Sequence, residues 1–432
     1  MDDLLPRHAR QSLEEALRTS RVVNLIGPRQ AGKTTLVRDL LAAGAFVTLD
    51  DETVRAALRA DPLGQIEALA ARAGDGPVVI DEAQRAPEIA GAIKRVVDTD
   101  RRRGQFVLTG SSNVFSTAEV VDTLAGRVLT LTLLPLSAAE IHRAPPSRLL
   151  DWAAAGADLG RLPPIPRVTR AEVLDLLVRG GYPEMRTLSP GRGRAAVFRG
   201  YVDSIVERDV ADLLAVRKTD ALRRLVGQLA ARSGGELNVG DLTVAVGVKR
   251  DTVETWLDAL ERLSLIRRLG SWASGEARRE VRHPKLHLVD TGLLCALRNL
   301  TAGSFGPDAE PALLGGVLET LVFGEIRKSL PSQAAPWDLY HWRDRSGREV
   351  DIVAVSPPAA LVAIEVKASA SVGEADFRHL RWFIAEGPGR SRKTVGLVLY
   401  LGSGVASFGP GLVALPLSLL WCDPAIAAPG GM

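Results

Sequence analysis

A glycine-rich loop near the start of the chain has the residue types and spacing of a phosphate-binding loop. Gly27 to Thr34 reads G-P-R-Q-A-G-K-T, which fits the pattern G-x-x-x-x-G-K-[ST], and it lies between an apolar run and a helical one. Backbone N–H groups of such a loop surround phosphate oxygens, and the N-terminus of the next helix attracts the anion. We therefore predict that ATP binds here, with Lys33 on the phosphates and Thr34 on Mg²⁺. The predicted nucleotide contacts are Gly27, Pro28, Arg29, Gln30, Ala31, Gly32, Lys33, Thr34 and Thr35.

Two acidic residues follow the apolar run Val78–Ile80, at the end of a predicted strand. Carboxylates in this position are costly to bury unless they are exposed, bind metal or take part in catalysis. We expect Asp81 to lie in the Mg²⁺ shell and Glu82 to polarise the attacking water. The alternative is an ordinary helix cap by Asp81, which leaves the adjoining Glu82 without a role.

Two more groups are candidates for sensing the γ-phosphate. The strand at Phe106–Thr109 ends in a polar cluster, from which we favour Ser111 over Ser112 and Asn113. The alternative is a polar turn with helix-capping serines. Arg127 precedes a fifth strand and is a candidate to contact the γ-phosphate in its own subunit or in a neighbouring one, or to be an ordinary surface arginine.

The elements that position these residues indicate an α/β fold. Strand-like runs alternate with amphipathic stretches through residues 21–140, residues 143–169 are rich in proline and small residues, and residues 170–300 have helical periodicity. From residue 312 onward a second α/β pattern begins. The predicted strands of the first part are Val22–Ile26, Phe46–Leu49, Val78–Asp81, Phe106–Thr109 and Val128–Leu133.

The middle of the chain has the layout of a helix–turn–helix. A short helix is predicted from Val239, a glycine turn at Gly247, a second helix from Arg250 and a wing strand from Leu263–Ile266, which is the order of a winged helix. In such a module the second helix enters the major groove of DNA. Three acidic residues on that helix weaken its positive field, so protein binding or a structural role stays the alternative. The candidate DNA contacts are Lys249, Arg250, Thr252, Arg267 and Arg268.

The last part of the chain carries acids in the pattern D…E-x-K. Asp351, Glu365 and Lys367 lie on adjacent predicted strands, and Glu319 lies on the preceding helix. This constellation resembles the PD-(D/E)xK nuclease fold, in which carboxylates hold Mg²⁺ and the lysine orients or activates water. The alternatives are an edge strand whose polar residues face solvent and a folded, inactive domain that only binds.

Composition limits the class of protein. The chain has 432 residues, of which 46% are hydrophobic and 24% are charged, so a globular protein of two to three domains is expected. The net charge of +3 does not by itself indicate nucleic acid. Two cysteines, no signal-peptide pattern and no long apolar run lead us to expect a cytoplasmic protein without a membrane span.

Several motifs in order resemble a widespread family of bacterial and archaeal AAA-type P-loop ATPases with a C-terminal domain of uncharacterised function. They are the loop above with I-D-E-A-Q (80–84), L-T-G-S-S (108–112), L-A-G-R (124–127), L-L-P-L-S (133–137), G-G-Y-P (180–183), E-R-D (207–209), P-K-L-H-L-V-D-T-G-L (284–293), E-V-D (349–351) and I-E-V-K (364–367). The resemblance covers nearly the whole chain. It implies ATP binding and hydrolysis, with Mg²⁺ as the metal.

Together these observations divide the chain into four parts. We predict an AAA-type ATPase core at 1–142, a linker and helical subdomain at 143–220, a winged-helix module at 221–300 and a restriction-endonuclease-like α/β domain at 301–432. AAA-type ATPases often form rings, so a homo-oligomer, such as a hexamer, is expected. The favoured function is an ATPase that acts on DNA. The alternatives are an ATP-regulated metal-dependent nuclease and a regulatory ATPase whose later domains bind protein.

Overall fold

A computed structural model describes residues 4–111, 124–162, 165–189, 191–210, 214, 219–273, 283–306, 309–357 and 360–422. The chain forms two compact units. The N-terminal unit consists of Arg7–Pro135 with Arg262–Ser264, and the C-terminal unit consists of the described residues of Met1–Pro6, Leu136–Glu261 and Leu265–Met432. The four-part division of the sequence stays a prediction. Ser112 and Asn113 lie outside the described residues.

The N-terminal unit is built on a sheet of five parallel strands, which confirms the predicted α/β fold. The strand order is β2-β3-β4-β1-β5. Strands β1, β3 and β4 are apolar and buried, as is usual where both faces of a parallel sheet are covered. The strands are β1 (Val22–Ile26), β2 (Ala45–Thr48), β3 (Val78–Asp81), β4 (Phe106–Gly110) and β5 (Val128–Thr132).

Parallel strands bring their carboxyl ends to one edge, so the loops that follow β1, β3 and β4 meet there. A π-helical segment at Leu36–Leu40 continues the short helix that follows the β1 loop. The α-helices of this unit are α1 (Ala9–Thr19), α2 (Lys33–Thr35), α3 (Glu52–Ala60), α4 (Pro62–Ala73) and α5 (Ile89–Thr99).

The C-terminal unit begins with helices. The stretch predicted as a linker or loop contains a helix whose Leu149, Leu150 and Trp152 are buried. The helices are α6 (Ala138–Ile141), α7 (Leu149–Ala154), α8 (Arg170–Arg179), α9 (Pro183–Thr187), α10 (Arg192–Ser204), α11 (Thr219–Ala231), α12 (Val239–Val246), α13 (Arg250–Arg262), α14 (Thr291–Leu297), α15 (Pro311–Ser329) and α16 (Arg378–Ala385).

Helices α12 and α13 lie where the sequence predicts them. Asn238 caps α12 by accepting hydrogen bonds from Gly240 and Asp241, and Gly247 ends it with φ 73°, a left-handed conformation that favours glycine. A two-stranded antiparallel ribbon follows, made of β6 (Ile266–Leu269) and β7 (Lys285–Leu288).

The last part of the C-terminal unit is a six-stranded mixed sheet with the order β12-β13-β11-β10-β9-β8. Strands β8, β9 and β10 are antiparallel neighbours, whereas β10, β11 and β13 run parallel. The strands are β8 (Asp338–Arg343), β9 (Glu349–Ser356), β10 (Ala360–Lys367), β11 (Lys393–Tyr400), β12 (Ala406–Ser407) and β13 (Leu412–Pro416). Within the described ranges, no helix has both the length and the apolar character needed to cross a lipid bilayer.

Candidate nucleotide site and a carboxylate cluster

The loop between β1 and α2 has the backbone of a phosphate-binding loop. Gly27 has φ 152°, and a Cβ atom there would lie 2.1 Å from the carbonyl oxygen of Leu133, so only glycine fits. Gly32 adopts a left-handed conformation, φ 95°, at the start of α2. Both glycines allow the loop to turn tightly, as a phosphate-binding loop requires.

Lys33 is 5% exposed. Its Nζ donates hydrogen bonds of 2.9 Å to the carbonyl oxygens of Gly27 and Pro28, within the loop that precedes it. The ammonium group is therefore held over the loop where the predicted phosphates would lie. Contact of Lys33 with the phosphates stays a prediction.

Thr34 and Asp81 come together across the end of the sheet. The Thr34 hydroxyl is 3.1 Å from both carboxylate oxygens of Asp81. The hydroxyl of Thr109, at the end of β4, donates to Asp81 Oδ1. A hydroxyl and a carboxylate so placed are hard oxygen ligands of the kind that Mg²⁺ prefers, so these residues fit the metal.

Glu82 has a left-handed backbone conformation, φ 55°, which is uncommon for a residue other than glycine. Its N–H donates to the hydroxyl of Thr109 at 3.3 Å. The amide of Gln84 donates to the Glu82 carboxylate and, at 3.4 Å, to the hydroxyl of Ser111. Glu82 and Ser111 are thus linked through Gln84, a residue that sequence reasoning did not single out.

Arg7 is a second residue without a sequence signal. Its guanidinium donates hydrogen bonds of 2.6 Å to the carbonyl oxygens of Ala31, in the phosphate-binding loop, and of Leu134, beyond β5. Arg7 therefore ties the loop to the segment that follows the neighbouring strand. Nothing in its local sequence distinguishes it from the other arginines near the N-terminus.

Arg127 is not brought to this site. It precedes β5, whose Val128 pairs with Val22, whereas the phosphate-binding loop follows Ile26, at the other end of β1. The guanidinium forms a two-point ion pair with Asp98, at 2.6 and 2.9 Å, which lowers the pKa of Asp98 below its usual value. Arg127 and the phosphate-binding loop of the same subunit therefore lie at opposite ends of β1 and β5. Contact with a neighbouring subunit stays a prediction.

The candidate DNA contacts lie on the surface of the C-terminal unit. Lys249 and Arg250 are exposed at the start of α13, and Thr252 is half-buried. Arg250 pairs with Glu254, and both Arg267 and Arg268 pair with Glu261. No carboxylate partner of Lys249 occurs among the residues that the structure describes.

Three of the candidate nuclease acids and one unpredicted lysine occupy the same part of the C-terminal unit. Asp351 and Glu365 lie on neighbouring antiparallel strands, one residue beyond the pair Ile352–Ile364. The Nζ of Lys285, on β7, is 2.8 Å from Glu319 Oε1 and 3.1 Å from Asp351 Oδ1. A fourth acid, Glu349, is 2.5 Å from the same Nζ.

The remaining pair of the predicted constellation is linked internally. Lys367 Nζ is 2.8 Å from Glu365 Oε2. Burial, followed by the charge of Asp351, raises the pKa of Glu365 to about 8. Burial by itself lowers the pKa of the Lys285 ammonium group. The charges of Asp351, Glu319 and Glu349 outweigh burial and raise this pKa well above its usual value.

Comparisons with known proteins assign the chain to a family. An uncharacterized protein of Mycobacterium tuberculosis is 31% identical over 353 residues, which cover 80% of this chain and 70% of that protein. An uncharacterized protein of Mycobacterium bovis gives the same values. The chain belongs to the family of these mycobacterial proteins. Because neither relative is characterised, this family membership adds no substrate.

Three family models match different parts of this chain. Residues 19–142 match the model described as "AAA domain", so the N-terminal unit is an AAA-type nucleotide-binding domain of the ATPase class. Residues 170–304 match a domain of unknown function, DUF8612, and residues 314–420 match another, DUF4143. These descriptions leave the winged helix and the nuclease-like fold as proposals.

Among solved structures, similarity extends to an ATPase of the signal-transduction class with numerous domains, which carries a tetratricopeptide repeat sensor and comes from Pyrococcus horikoshii. The identity is 12%, the TM-score is 0.25, and the match covers 75% of this chain. The chain spans 46% of the length of that protein.

Proposed function

We propose that the N-terminal unit hydrolyses Mg²⁺-ATP and that this turnover drives or gates the action of the C-terminal unit on duplex or branched DNA. The observation that carries the ATPase part is the position of the Thr34 hydroxyl, 3.1 Å from both carboxylate oxygens of Asp81. The preceding residue, Lys33, is buried. An AAA domain across residues 19–142 supports the same reaction.

The side chains have separable tasks in this proposal. Thr34 and Asp81 would hold Mg²⁺, which when bound offsets the negative charge of the phosphates. When ATP binds, the Lys33 ammonium group would replace its hydrogen bonds to the Gly27 and Pro28 carbonyl oxygens with hydrogen bonds to phosphate oxygens. Carbonyl and phosphate oxygens are both acceptors for this group. The loop N–H groups would orient the phosphates for in-line attack.

Glu82 would position the attacking water and accept its proton. The left-handed backbone at Glu82 and the hydrogen bond from Gln84 fix the direction of its carboxylate. Ser111 lies within reach of the same Gln84 amide and is our candidate sensor of the γ-phosphate. Arg127 is our candidate for a contact with the nucleotide of a neighbouring subunit in a homo-oligomer.

The DNA part of the proposal rests on the helix–turn–helix order of α12 and α13. The start of α13 presents Lys249 and Arg250 to solvent, beside a concave surface that also includes Thr252. In a winged helix this end of the second helix enters the major groove. Arg267 and Arg268 on β6 would contact phosphates of the DNA backbone, which would compete with Glu261 for the two guanidinium groups.

The decisive measurement is the ATP turnover rate with and without single-stranded, duplex and branched DNA. We expect stimulation by duplex or branched DNA, with an apparent affinity whose logarithm falls linearly with the logarithm of salt concentration. Lys249→Glu should weaken this stimulation and leave the basal rate unchanged, and Asp241→Lys on α12 is the control for a change of charge. If Lys33→Ala left turnover unchanged, the ATPase assignment would be wrong.

A regulatory ATPase whose later domains bind protein is the second candidate. Val244, on α12 beside the same concave surface, is 85% exposed, and acidic partners offset Arg250, Arg267 and Arg268. These features suit a protein surface better than DNA. An ATPase rate that no form of DNA changes would favour this candidate over the first.

A further inference from the structure

A lysine side chain lies inside the acidic cluster that resembles a nuclease site. Lys285 is 1% exposed, and its Nζ contacts Glu319, Glu349 and Asp351 at 2.8, 2.5 and 3.1 Å. We propose that this ammonium group takes the place of a divalent metal between Glu319 and Asp351. The C-terminal unit then binds no catalytic metal and cleaves no nucleic acid.

The carboxylates do not fit a metal in this arrangement. Mg²⁺ requires oxygen ligands at about 2.0–2.1 Å in octahedral geometry and usually keeps several waters. Asp351 directs one oxygen to Lys285 and accepts a hydrogen bond from the Val366 N–H on the other, at 2.9 Å. Within the described ranges, no three carboxylate, imidazole or thiolate side chains are arranged to hold a metal ion.

The lysine is fixed in the cluster by the backbone on both sides of its strand. On one side, Lys285 pairs with Leu269 of β6. On the other, the Leu286 N–H donates to the Gly235 carbonyl at 2.9 Å, and the Leu237 N–H donates to the Pro284 carbonyl at 2.8 Å. These pairs fix the backbone of Lys285 beside the cluster, and the burial of its side chain together with its three carboxylate contacts holds the ammonium group there.

The consequence is an internal cation site that joins separate parts of the C-terminal unit. Glu319 comes from α15, Glu349 and Asp351 come from β9, and the lysine comes from β7. Removal of the lysine charge would leave buried carboxylates uncompensated, which is strongly unfavourable. Without the contacts to the lysine, Glu319, Glu349 and Asp351 would be free to reorient their oxygens around a divalent cation taken up from solution. This inference does not depend on ATP turnover, which the Lys33→Ala variant tests separately.

The experiment is Mn²⁺ binding to the full chain, measured by the paramagnetic resonance signal of the free ion. We expect the same number of Mn²⁺ sites in the wild type and in Asp351→Asn, because the cluster takes no metal. Lys285→Met, which keeps the length and removes the charge, should gain one site. The double variant Lys285→Met/Asp351→Asn should lose that site again, which assigns it to the cluster.

Three results would overturn the proposal. The first is a Mn²⁺ site in the wild type that Asp351→Asn removes. The second is a folded Lys285→Met variant without an added site. The third is Mg²⁺-dependent DNA cleavage by the wild type that Lys367→Ala abolishes. The first and third measurements use no variant at position 285, so the proposal stays testable even if Lys285→Met does not fold.

A different part of the C-terminal unit carries a second, independent inference. Arg194 is 5% exposed, its Nη1 is buried, and it has no hydrogen-bond or ion-pair partner in the part of the chain that the structure describes. A buried guanidinium without an anion is unfavourable by several kcal/mol in general. The side chain lines a cavity of about 380 Å³ together with Arg192, Phe198, Arg199 and Leu300.

The start of α10 borders the same cavity. Among the described residues, no side chain caps this 13-residue helix, and its first turn has no acidic residue. Its first N–H groups and its dipole therefore favour a negative charge. We infer that the cavity binds a small molecule with one oxyanion group, held by Arg194 and the α10 N-terminus, and an apolar body beside Phe198 and Leu300. Burial, followed by the charge of Arg179, lowers the pKa of Arg194. The charge of Asp175, which also lines the cavity, opposes this shift, but that carboxylate is paired with Arg179 at 2.7 Å.

Thermal unfolding with inorganic phosphate and with phenyl phosphate tests this inference. Both should raise the melting temperature of the wild type, phenyl phosphate by more at equal concentration. Arg194→Met should show a smaller increase than the wild type, whereas Lys33→Ala, which alters the ATP site, should keep the part of the increase that depends on Arg194. An equal increase in Arg194→Met, or none in Lys33→Ala, would overturn the inference.

Discussion

At the scale of single residues, Glu82 combines an unusual backbone with a defined side-chain direction. A left-handed conformation outside glycine is retained in proteins mainly where the surrounding structure requires it, often at functional sites. Here the N–H of Glu82 is bound by Thr109, which in turn donates to Asp81. One threonine on β4 therefore aligns the acid that we propose to position water with the acid that we propose to bind metal.

The first prediction concerns this carboxylate. Glu82→Gln should keep ATP binding and lower kcat by about 10²–10⁴, because a positioned general base typically contributes that much to the rate. Turnover and equilibrium nucleotide binding would both be measured. Glu88→Gln, an exposed acid that pairs with Arg59, is the control and should leave kcat unchanged. A Glu82→Gln variant with wild-type kcat would transfer the role to another group.

The second prediction concerns Arg7. Its two hydrogen bonds to the Ala31 and Leu134 carbonyls hold the phosphate-binding loop, and each bond from a charged donor is worth about 1.5–3 kcal/mol. We expect Arg7→Ala to raise the Kd for ATP about tenfold, which corresponds to a loss of about 1.4 kcal/mol in the free energy of ATP binding. Arg10→Ala, which removes an exposed pair with Glu14, is the matched control. Equal affinities in the two variants would show that Arg7 does not order the loop.

At the scale of elements, α15 contains two adjacent glycines with different surroundings. A Cβ atom on Gly316 would lie 2.9 Å from the Ser233 carbonyl oxygen, whereas a Cβ atom on Gly315 would meet nothing within 4 Å. Gly316 is therefore needed for the close approach of α15 to the chain at Ser233 and Gly234. The sequence gives no means of distinguishing the two positions.

The third prediction follows from this difference. Gly315→Ala should raise the free energy of unfolding by about 0.8–1.0 kcal/mol, the helix propensity of alanine over glycine. Gly316→Ala gains the same propensity, but its Cβ atom clashes with a carbonyl of the backbone, so the net change should be destabilising. Chemical denaturation of the full chain would measure both. A stabilising Gly316→Ala would mean that the Ser233 segment can shift at little cost.

Local patterns predicted the elements well because they act over a few residues. The apolar runs predicted β1 and β3 with the observed bounds, and α12 begins at the predicted Val239 and ends before the predicted turn at Gly247. The phosphate-binding glycines likewise predicted a loop followed by a helix. The π-helical segment at Leu36–Leu40 was not predicted, since its sequence suits an ordinary helix.

Contacts between distant positions could not be predicted in this way. Lys285 lies 34 residues from Glu319 and 66 from Asp351, and only the fold brings its ammonium to their carboxylates. Arg7 reaches Leu134 across 127 residues. Sequence patterns therefore named the acids of the cluster and the loop of the nucleotide site, but not the cations that organise each of them.

At the scale of the whole molecule, the C-terminal unit is held together by contacts between segments that are far apart in sequence. Glu325 on α15 is 4% exposed, and its carboxylate accepts a hydrogen bond of 2.8 Å from the Ala138 N–H at the start of α6. Its other oxygen is 2.8 Å from Lys328 Nζ, which also donates to the Leu136 carbonyl at 3.0 Å. All of these partners belong to the C-terminal unit, although they are far apart in sequence.

The fourth prediction compares the hydrogen exchange of the two units in the variant Glu325→Ala and in the presence of Mg²⁺-ATP. Glu325→Ala should destabilise the C-terminal unit by about 3–5 kcal/mol, because it leaves Lys328 buried without its partner. The exposed Glu386 lies in the same unit, so Glu386→Ala is the control and should change the stability little.

Hydrogen exchange followed by mass spectrometry should show faster exchange across residues 136–422 in Glu325→Ala. Mg²⁺-ATP should slow exchange within residues 7–135 in both proteins, since ligand binding stabilises the unit that binds it. Loss of the ATP effect in Glu325→Ala would show that the N-terminal unit depends on the C-terminal one for its nucleotide site.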